Sequence, residues 1–196
     1  RYFAVEVSEK DILSSWSGLR PLVGQLKEHD TARLSRDHVV NVSESGLITV
    51  TGGKWTTYRK MALDTVAQAI RVGGLKPVRP SLTEKIPVAG GENFKPSMVH
   101  ELVKKFSLEE DIALHLMHSY GSRAFEVAKI GQEFLKRLVP NHPFVEAEVV
   151  YSIRVEGART ADDILGRRMR LAFLDKRAAD IARPRVEVLL KKELNS

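Results

Sequence analysis

The chain has 196 residues, 43% of them hydrophobic and 29% charged, a composition typical of a globular protein that buries a core. It contains no cysteine, which excludes disulfides, thiolate catalysis and cysteine-based metal sites. Its formal net charge of +6 is compatible with phosphate ligands or an anionic membrane, whereas nucleic acid is disfavoured because aromatic residues are not interleaved with the basic clusters.

A short capped helix is predicted near the beginning of the chain. Ser8 is followed three residues later by Asp11, which is the spacing of a capping box. We expect this turn to carry Ile12, Leu13 and Trp16 inward.

A β-hairpin and a helix are predicted to follow. Residues 39–42 (VVNV) and 47–50 (LITV) flank the turn sequence of residues 43–46, which predicts a four-residue hairpin loop. Beyond the second strand, apolar residues recur every three or four positions, which predicts a helix that ends at Gly73 or Gly74. Its predicted buried face consists of Ala62, Thr65, Val66, Ala69 and Ile70.

The junction between this strand and this helix is the most informative segment, because Gly52 and Gly53 are followed directly by Lys54. The first turn of a helix offers unpaired backbone N–H groups and the positive end of the helix dipole, and glycines let a ligand approach closely. A lysine opposes that dipole, which indicates a negative group nearby. The alternative interpretation is a tight turn with a solvent-exposed lysine.

The second half of the chain predicts helices only. Pro77, Pro80, Pro87 and the pair Gly90–Gly91 indicate a linker. The helices predicted after it begin at Ser97, at a Ser107–Glu110 capping box, at Ser122, near Val145, at Thr160–Asp163 and near Asp175, with Pro184 kinking the last one or starting another. The predicted fold class is α+β: a β-rich segment with strands, a hairpin and a long helix in residues 1–75, a linker in 76–96, and an all-α domain in 97–196.

Several motifs together resemble the FAD-dependent glycerol-3-phosphate dehydrogenases of the mitochondrial and bacterial membrane-associated type. Residues 52–59 read GGKWTTYR, residues 12–22 contain a tryptophan and end in Gly-Xaa-Arg-Pro-Leu, and residues 35–40 read SRDHVV before the Ser-Glu-Ser-Gly turn. Residues 120–128 and 170–174 resemble the helical C-terminal region of the same family. The Gly-Xaa-Gly-Xaa-Xaa-Gly motif of its FAD-binding fold is absent, so we interpret the chain as the C-terminal portion of a longer enzyme, inactive alone.

The resemblance implies FAD as cofactor and glycerol 3-phosphate as substrate, oxidised to dihydroxyacetone phosphate with electrons passed to a quinone. It implies catalytic roles for Arg20 and Lys54, and substrate binding by these two residues and Arg36, because guanidinium and ammonium groups bind phosphate. Alternative interpretations are ion pairs for the two arginines. The cofactor-binding residues that it implies are Gly52, Gly53, Lys54, Trp55, Thr56 and Thr57, although the threonines could instead cap the helix.

His38 is the histidine closest to these motifs, and a structural role on the strand competes with a role in proton transfer. No metal is predicted, because the three-residue spacing of His115 and His118 lacks a third ligand. No Asp-rich calcium loop occurs in the chain either, so no calcium dependence is expected of it.

The resemblance also implies peripheral association with the mitochondrial inner membrane or with the cytoplasmic face of a bacterial membrane. Basic residues of the last helices are either a solvated surface or a contact for anionic lipid. Two alternative functions remain open: a glycerol-3-phosphate oxidase of the same fold, and a helical module for dimerisation or membrane docking. A homodimer, and pairing with an N-terminal FAD-binding region, are the implied protein partners.

Overall fold

The computed structural model describes residues 5–19, Val23 and residues 37–195. It divides into two compact units. The smaller unit is Ser17–Ile86, and the helical unit combines Arg1–Trp16 with Pro87–Ser196. The architecture is α+β, as the sequence predicts, and the boundaries at residues 75 and 97 stay a prediction about the organisation of domains.

The smaller unit begins with the predicted hairpin. Strands β1 (His38–Val42) and β2 (Ile48–Gly52) are antiparallel, and their register pairs His38 with Gly52. The loop closes through a hydrogen bond from the Ser43 backbone N–H to the carbonyl oxygen of Leu47, at 2.9 Å.

The strand-to-helix junction also follows the prediction. A 3₁₀ turn, Trp55–Thr57, leads into helix α1 (Tyr58–Val72), which packs on both strands and is capped by Gly73. The predicted buried face of α1 is wrong in part, because Val66 is 56% exposed and none of the helix residues is fully buried. Periodicity defines an apolar stripe, but the hairpin is too narrow to cover it.

The predicted linker contains turns and no regular element between the end of α1 and residue 98. Part of it is nevertheless packed, because Gly90 is buried and its carbonyl oxygen accepts a hydrogen bond from the Ser122 N–H at 2.8 Å. This backbone contact attaches the end of the linker to the helical unit.

The helical unit contains six α-helices among the described residues: α2 (Met98–Phe106), α3 (Glu110–Tyr120), α4 (Ala124–Ala128), α5 (Glu146–Arg154), α6 (Leu171–Leu174) and α7 (Lys176–Leu194). A π-helix, Asp163–Arg168, precedes α6. The core of this unit is apolar and includes the fully buried residues Leu102, Leu116, Val127, Val145, Val149, Val150, Ile164, Leu165, Leu171, Val186 and Leu189.

Of two helix starts predicted from capping residues, one does not form and the other does. Ser107 has φ +55 and ends α2, so the predicted capping box with Glu110 does not form and Glu109 precedes α3 instead. Asp163 does form the predicted cap, because its carboxylate accepts the N–H groups of Arg159 and Thr160 at 3.0 and 2.9 Å. Pro184 lies inside α7 and does not divide it.

The N-terminal segment of the helical unit contacts α6 and α7 of the same unit. Its predicted short helix is a 3₁₀ turn, Glu9–Asp11, in which the Asp11 carboxylate accepts the Ser8 N–H at 2.7 Å. The expectation that this turn carries its apolar residues inward is wrong, because Trp16 is 68% exposed and touches Phe173 edge-on. Backbone and hydroxyl groups hold the segment instead, which leaves its side chains outside the core.

Candidate functional site

The turn before α1 requires glycine at both of its first positions. Gly52 and Gly53 have φ +80 and +79, a conformation that is unfavourable for residues with a Cβ. A Cβ on Gly52 would also lie 2.8 Å from the carbonyl oxygen of Asp37, and one on Gly53 would lie 2.5 Å from the Met61 sulfur. Packing within the unit therefore requires the glycines, a reason that the sequence interpretation did not include.

Lys54 stands at the start of the 3₁₀ turn, with its side chain exposed. Its backbone N–H donates to the Thr57 hydroxyl at 3.2 Å, and this hydroxyl donates to the Lys54 carbonyl oxygen at 3.0 Å. Thr57 thus caps the turn. Among the described residues, the backbone N–H groups of Trp55 and Thr56 have no acceptor, so they are available to a negatively charged or carbonyl-bearing ligand.

A cleft of about 430 Å³ lies beside this turn. We call it the Lys54 cleft, and it is lined by Asp37, His38, Lys54, Thr57, Lys60 and Asp64. Two cations, a histidine and carboxylates thus line one opening within the smaller unit, which is a suitable environment for an anionic, hydroxyl-bearing ligand.

Asp64 is the centre of the polar contacts in the Lys54 cleft. One of its carboxylate oxygens lies 2.8 Å from Nε2 of His38, and the other accepts from Nζ of Lys60 at 2.5 Å. The hydrogen bond from Lys60 lowers the pKa of the Asp64 carboxyl, and the contact with His38 lowers it further. The carboxylate is therefore ionised at neutral pH and fixes the imidazole of His38, which is 17% exposed.

Sequence reasoning missed both Lys60 and Asp64. Their spacing of four residues on a predicted helix was a signal for an ion pair. No signal linked Asp64 to His38, because that contact depends on how α1 crosses the hairpin.

Of the remaining predicted site residues, the structure describes Trp55 but not the two arginines. Trp55 is 87% exposed, so its indole is accessible, and its ring lies 5.8 Å from that of Tyr58 at an interplanar angle of 31°. Arg20 and Arg36 lie outside the described residues. The roles assigned to Arg20, Arg36, Lys54 and the turn residues stay predictions.

The other titratable groups singled out in the sequence are paired within the helical unit. Nε2 of His115 lies 2.8 Å from the buried carboxylate of Glu148, and among the described residues no set of three or more His, Asp or Glu side chains is arranged to hold a metal ion. In the part of the chain that the structure describes, no helix is both long and apolar enough to cross a membrane.

Many basic residues of the last helices are likewise paired. Arg185 forms a two-pronged contact with the buried Glu146, at 2.8 and 2.7 Å, and Arg183 donates to Asp162 at 2.6 Å. Because carboxylates neutralise these arginines, the surface of the last helices is less basic than the sequence indicated.

The chain thus combines an α+β segment, in which the start of a helix requires two glycines, with an all-α unit. The chain belongs to the family described as the C-terminal domain of alpha-glycerophosphate oxidase, whose profile matches residues 81–196.

Similarity to whole proteins extends over almost the entire chain. It is 48% identical to the human mitochondrial glycerol-3-phosphate dehydrogenase over 97% of its length, 44% identical to a probable mitochondrial glycerol-3-phosphate dehydrogenase of Dictyostelium discoideum over 93%, and 42% identical to a mitochondrial glycerol-3-phosphate dehydrogenase of Arabidopsis thaliana over 98%. The chain covers 27%, 30% and 33% of these relatives, so it spans about a quarter to a third of their length.

Proposed function

We propose that the chain is the C-terminal part of a flavin-dependent glycerol-3-phosphate dehydrogenase that oxidises sn-glycerol 3-phosphate to dihydroxyacetone phosphate. The observation that carries this proposal is the 48% identity, over 97% of the chain, to proteins named mitochondrial glycerol-3-phosphate dehydrogenase. The electrons pass to a quinone, and the chain alone is inactive because its sequence contains no Gly-Xaa-Gly-Xaa-Xaa-Gly motif.

The residues around the Lys54 cleft fit a flavin ring. The N–H groups of Trp55 and Thr56, which have no acceptor within the described part of the chain, provide donors, and the exposed Trp55 indole provides an apolar surface. The Lys54 ammonium is suited to the electron-rich N1 and C2-oxygen edge. Gly52, Gly53 and Thr57 hold this turn in place. Bound flavin supplies the acceptor for the hydride of the substrate.

Substrate binding is assigned to Arg20, Arg36 and Lys54. Two guanidinium groups and one ammonium supply the bidentate and point-charge contacts that a phosphate needs. Arg20 orients the hydroxyl or the phosphate and stabilises developing negative charge, but an arginine remains protonated and is unsuited to accept a proton.

A glycerol-3-phosphate oxidase is the second candidate, and the family description, which names an alpha-glycerophosphate oxidase, favours it. The two activities differ in the electron acceptor. Stoichiometric peroxide formation in the full-length enzyme identifies the oxidase, and quinone reduction without peroxide identifies the dehydrogenase.

The relatives' names say that they are mitochondrial. The location that we propose is peripheral attachment to the mitochondrial inner membrane or to a bacterial cytoplasmic membrane. The exposed side of α7 supports a role for the helical unit, because Ile181 and Val188 are 68% and 58% exposed beside the exposed basic residues Arg177 and Lys191. Salt-sensitive binding of the full-length enzyme to anionic vesicles tests this role, and concentration-dependent sedimentation tests a homodimer.

Removal of the Lys54 ammonium tests the flavin assignment. In the full-length enzyme, Lys54→Ala should lower the rate of flavin reduction by glycerol 3-phosphate about 10²–10³-fold, as loss of one preorganised charge-stabilising donor does. Arg20→Ala should lower it similarly. The rate is measured by stopped-flow bleaching of the flavin absorbance.

The matched control is Lys76→Ala, since Lys76 is exposed and lies outside the Lys54 cleft. This variant should be reduced at the wild-type rate. Wild-type rates in both Lys54→Ala and Arg20→Ala, with normal flavin content, contradict the site assignment.

A further inference from the structure

His38 lies directly beside the turn that we assign to the flavin. The strand register places it opposite Gly52, and its Cβ lies 3.2 Å from the position that a Cβ on Gly53 would occupy. The main chain thus fixes His38 at the edge of the turn. Because His38 lines the Lys54 cleft, a substrate held there lies near its imidazole.

The imidazole has the orientation of a group that accepts a proton. Its Nε2 lies 2.8 Å from an oxygen of Asp64, whose ionised carboxylate accepts the Nε2–H. The neutral ring then presents Nδ1 as an acceptor, and Nδ1 has no partner among the residues that the structure describes. The same carboxylate stabilises the imidazolium once Nδ1 gains a proton, as in a His–Asp pair of a hydrolase.

Lys60 holds the carboxylate in this geometry. Its ammonium binds the Asp64 oxygen that does not contact His38, at 2.5 Å and with four-residue spacing on α1. Asp64 and Lys60 are therefore positioning residues. Among the described residues, the charged groups that line the clefts at His38 are Asp37 on its own side of the hairpin, Lys54 in the turn, and Lys60, Asp64 and Arg71 on α1.

We infer that His38, positioned by Asp64, accepts the proton of the substrate C2 hydroxyl; this inference rests on the proposed function. The O–H bond breaks and its proton passes to Nδ1. The C2–H bond breaks with its electron pair, which leaves as hydride to the flavin, and the C2–O bond becomes a carbonyl. Imidazole is the group in the Lys54 cleft best matched to proton transfer at neutral pH, since the lysines are cationic and Asp64 is engaged.

The first experiment measures flavin reduction in the full-length enzyme with His38→Asn and His38→Gln. Both variants should be reduced about 10²–10⁴-fold more slowly than wild type, the usual contribution of general acid–base catalysis. Asp64→Asn should also slow flavin reduction. His118→Asn is the control, because His118 is exposed on α3 and lies in the helical unit, and it should keep the wild-type rate.

The second experiment measures equilibrium binding to the fully reduced enzyme, which has no acceptor for the hydride and cannot turn over. The ligands are glycerol 3-phosphate, whose C2 hydroxyl can donate a hydrogen bond to Nδ1, and 3-hydroxypropyl phosphate, which lacks only this hydroxyl. His38→Asn should weaken binding of glycerol 3-phosphate about tenfold, the value of one hydrogen bond, and leave that of 3-hydroxypropyl phosphate unchanged. An equal loss for both ligands indicates a structural role and overturns the inference.

Different results would contradict the proposed function and the proposed role of His38. If the wild-type holoenzyme is not reduced by glycerol 3-phosphate, the proposed function is wrong. If the wild type is reduced and both His38 variants react as fast, only the role of His38 is overturned. Slow reduction together with selective loss of glycerol 3-phosphate binding supports the role of His38.

Discussion

The helical unit and the smaller unit differ in how many of their residues are buried. Every described residue that is fully buried lies at Gly90 or later in the chain, whereas the hairpin and α1 contain only exposed and half-buried residues. The helical unit thus carries its own core. The smaller unit exposes apolar side chains such as Val66 and Trp55.

The two units also differ in how their charged side chains are paired. In the helical unit they form pairs such as Arg185 with the buried Glu146, which join elements distant in the chain. In the smaller unit, Lys54 has no salt-bridge partner among the described residues, and the His38–Asp64 pair lines an open cleft. The paired charges of the helical unit thus stabilise its fold, whereas Lys54 and the His38–Asp64 pair are available to a ligand.

The largest predicted effect is the loss of the carboxylate of Glu148 from the helical unit. Glu148 is 1% exposed, accepts the Val145 N–H at 2.8 Å and contacts His115 at 2.8 Å. Burial raises the pKa of the Tyr120 hydroxyl, and the nearby charge and hydrogen bond of Glu148 raise it further. Glu148→Leu leaves these groups unpaired and should lower the free energy of unfolding by about 3–5 kcal/mol.

Urea unfolding followed by far-ultraviolet circular dichroism measures this change. Glu187→Leu is the control, since Glu187 is exposed on α7, and it should change the free energy of unfolding by less than about 0.5 kcal/mol. Equal effects of the two substitutions would show that the buried network contributes nothing to the stability of the helical unit.

A smaller effect is expected in the hairpin, where two glycines have nearly the same φ but different surroundings. Gly52 has φ +80 and no room for a Cβ, whereas Gly46 has φ +84 and open space around it. Both alanine substitutions incur backbone strain of about 1–2 kcal/mol, and Gly52→Ala also forces a clash with the backbone of Asp37.

Hydrogen exchange of the amides in β1 and β2 tests this difference. Gly52→Ala should accelerate exchange more than Gly46→Ala, and the amides of α5 should keep their protection in both variants. Equal acceleration by the two substitutions would mean that close packing at Gly52 has no energetic consequence.

The smallest effect concerns the pH dependence of the helical unit. Hydrogen bonds from the N–H of Arg159, then from the hydroxyl and N–H of Thr160, lower the pKa of the Asp163 carboxyl in the folded chain. A carboxyl whose pKa is lower in the folded chain than in the unfolded chain stabilises the fold at any pH above its unfolded pKa. This contribution is lost as the pH falls through the folded pKa.

The urea midpoint of the wild type should therefore decrease between about pH 5 and pH 3, and Asp163→Asn should show a smaller decrease. Glu187→Gln serves as the control and should follow the wild type. Identical pH profiles for Asp163→Asn and the wild type would remove the proposed contribution of this cap.

Much of the local structure could be predicted because it depends on neighbouring residues. The hairpin, the end of α1 at Gly73 and the Asp163 cap follow from turn chemistry, glycine and short-range hydrogen bonds. The failures have a non-local cause. Ser107 adopts φ +55 to end one helix where its sequence predicts the start of another, and the π-helix before α6 has no short-range signature.

The sequence alone determined that two glycines and Lys54 begin a helix after a strand, because these features are encoded within a few consecutive residues. It also carried the family, through motifs distributed along the chain. Only the tertiary structure decided that Asp64 meets His38, since residues 26 positions apart come into contact through the strand register and the packing of α1 on the hairpin. Proximity in space, which no local pattern specifies, converts a strand histidine into a candidate proton acceptor.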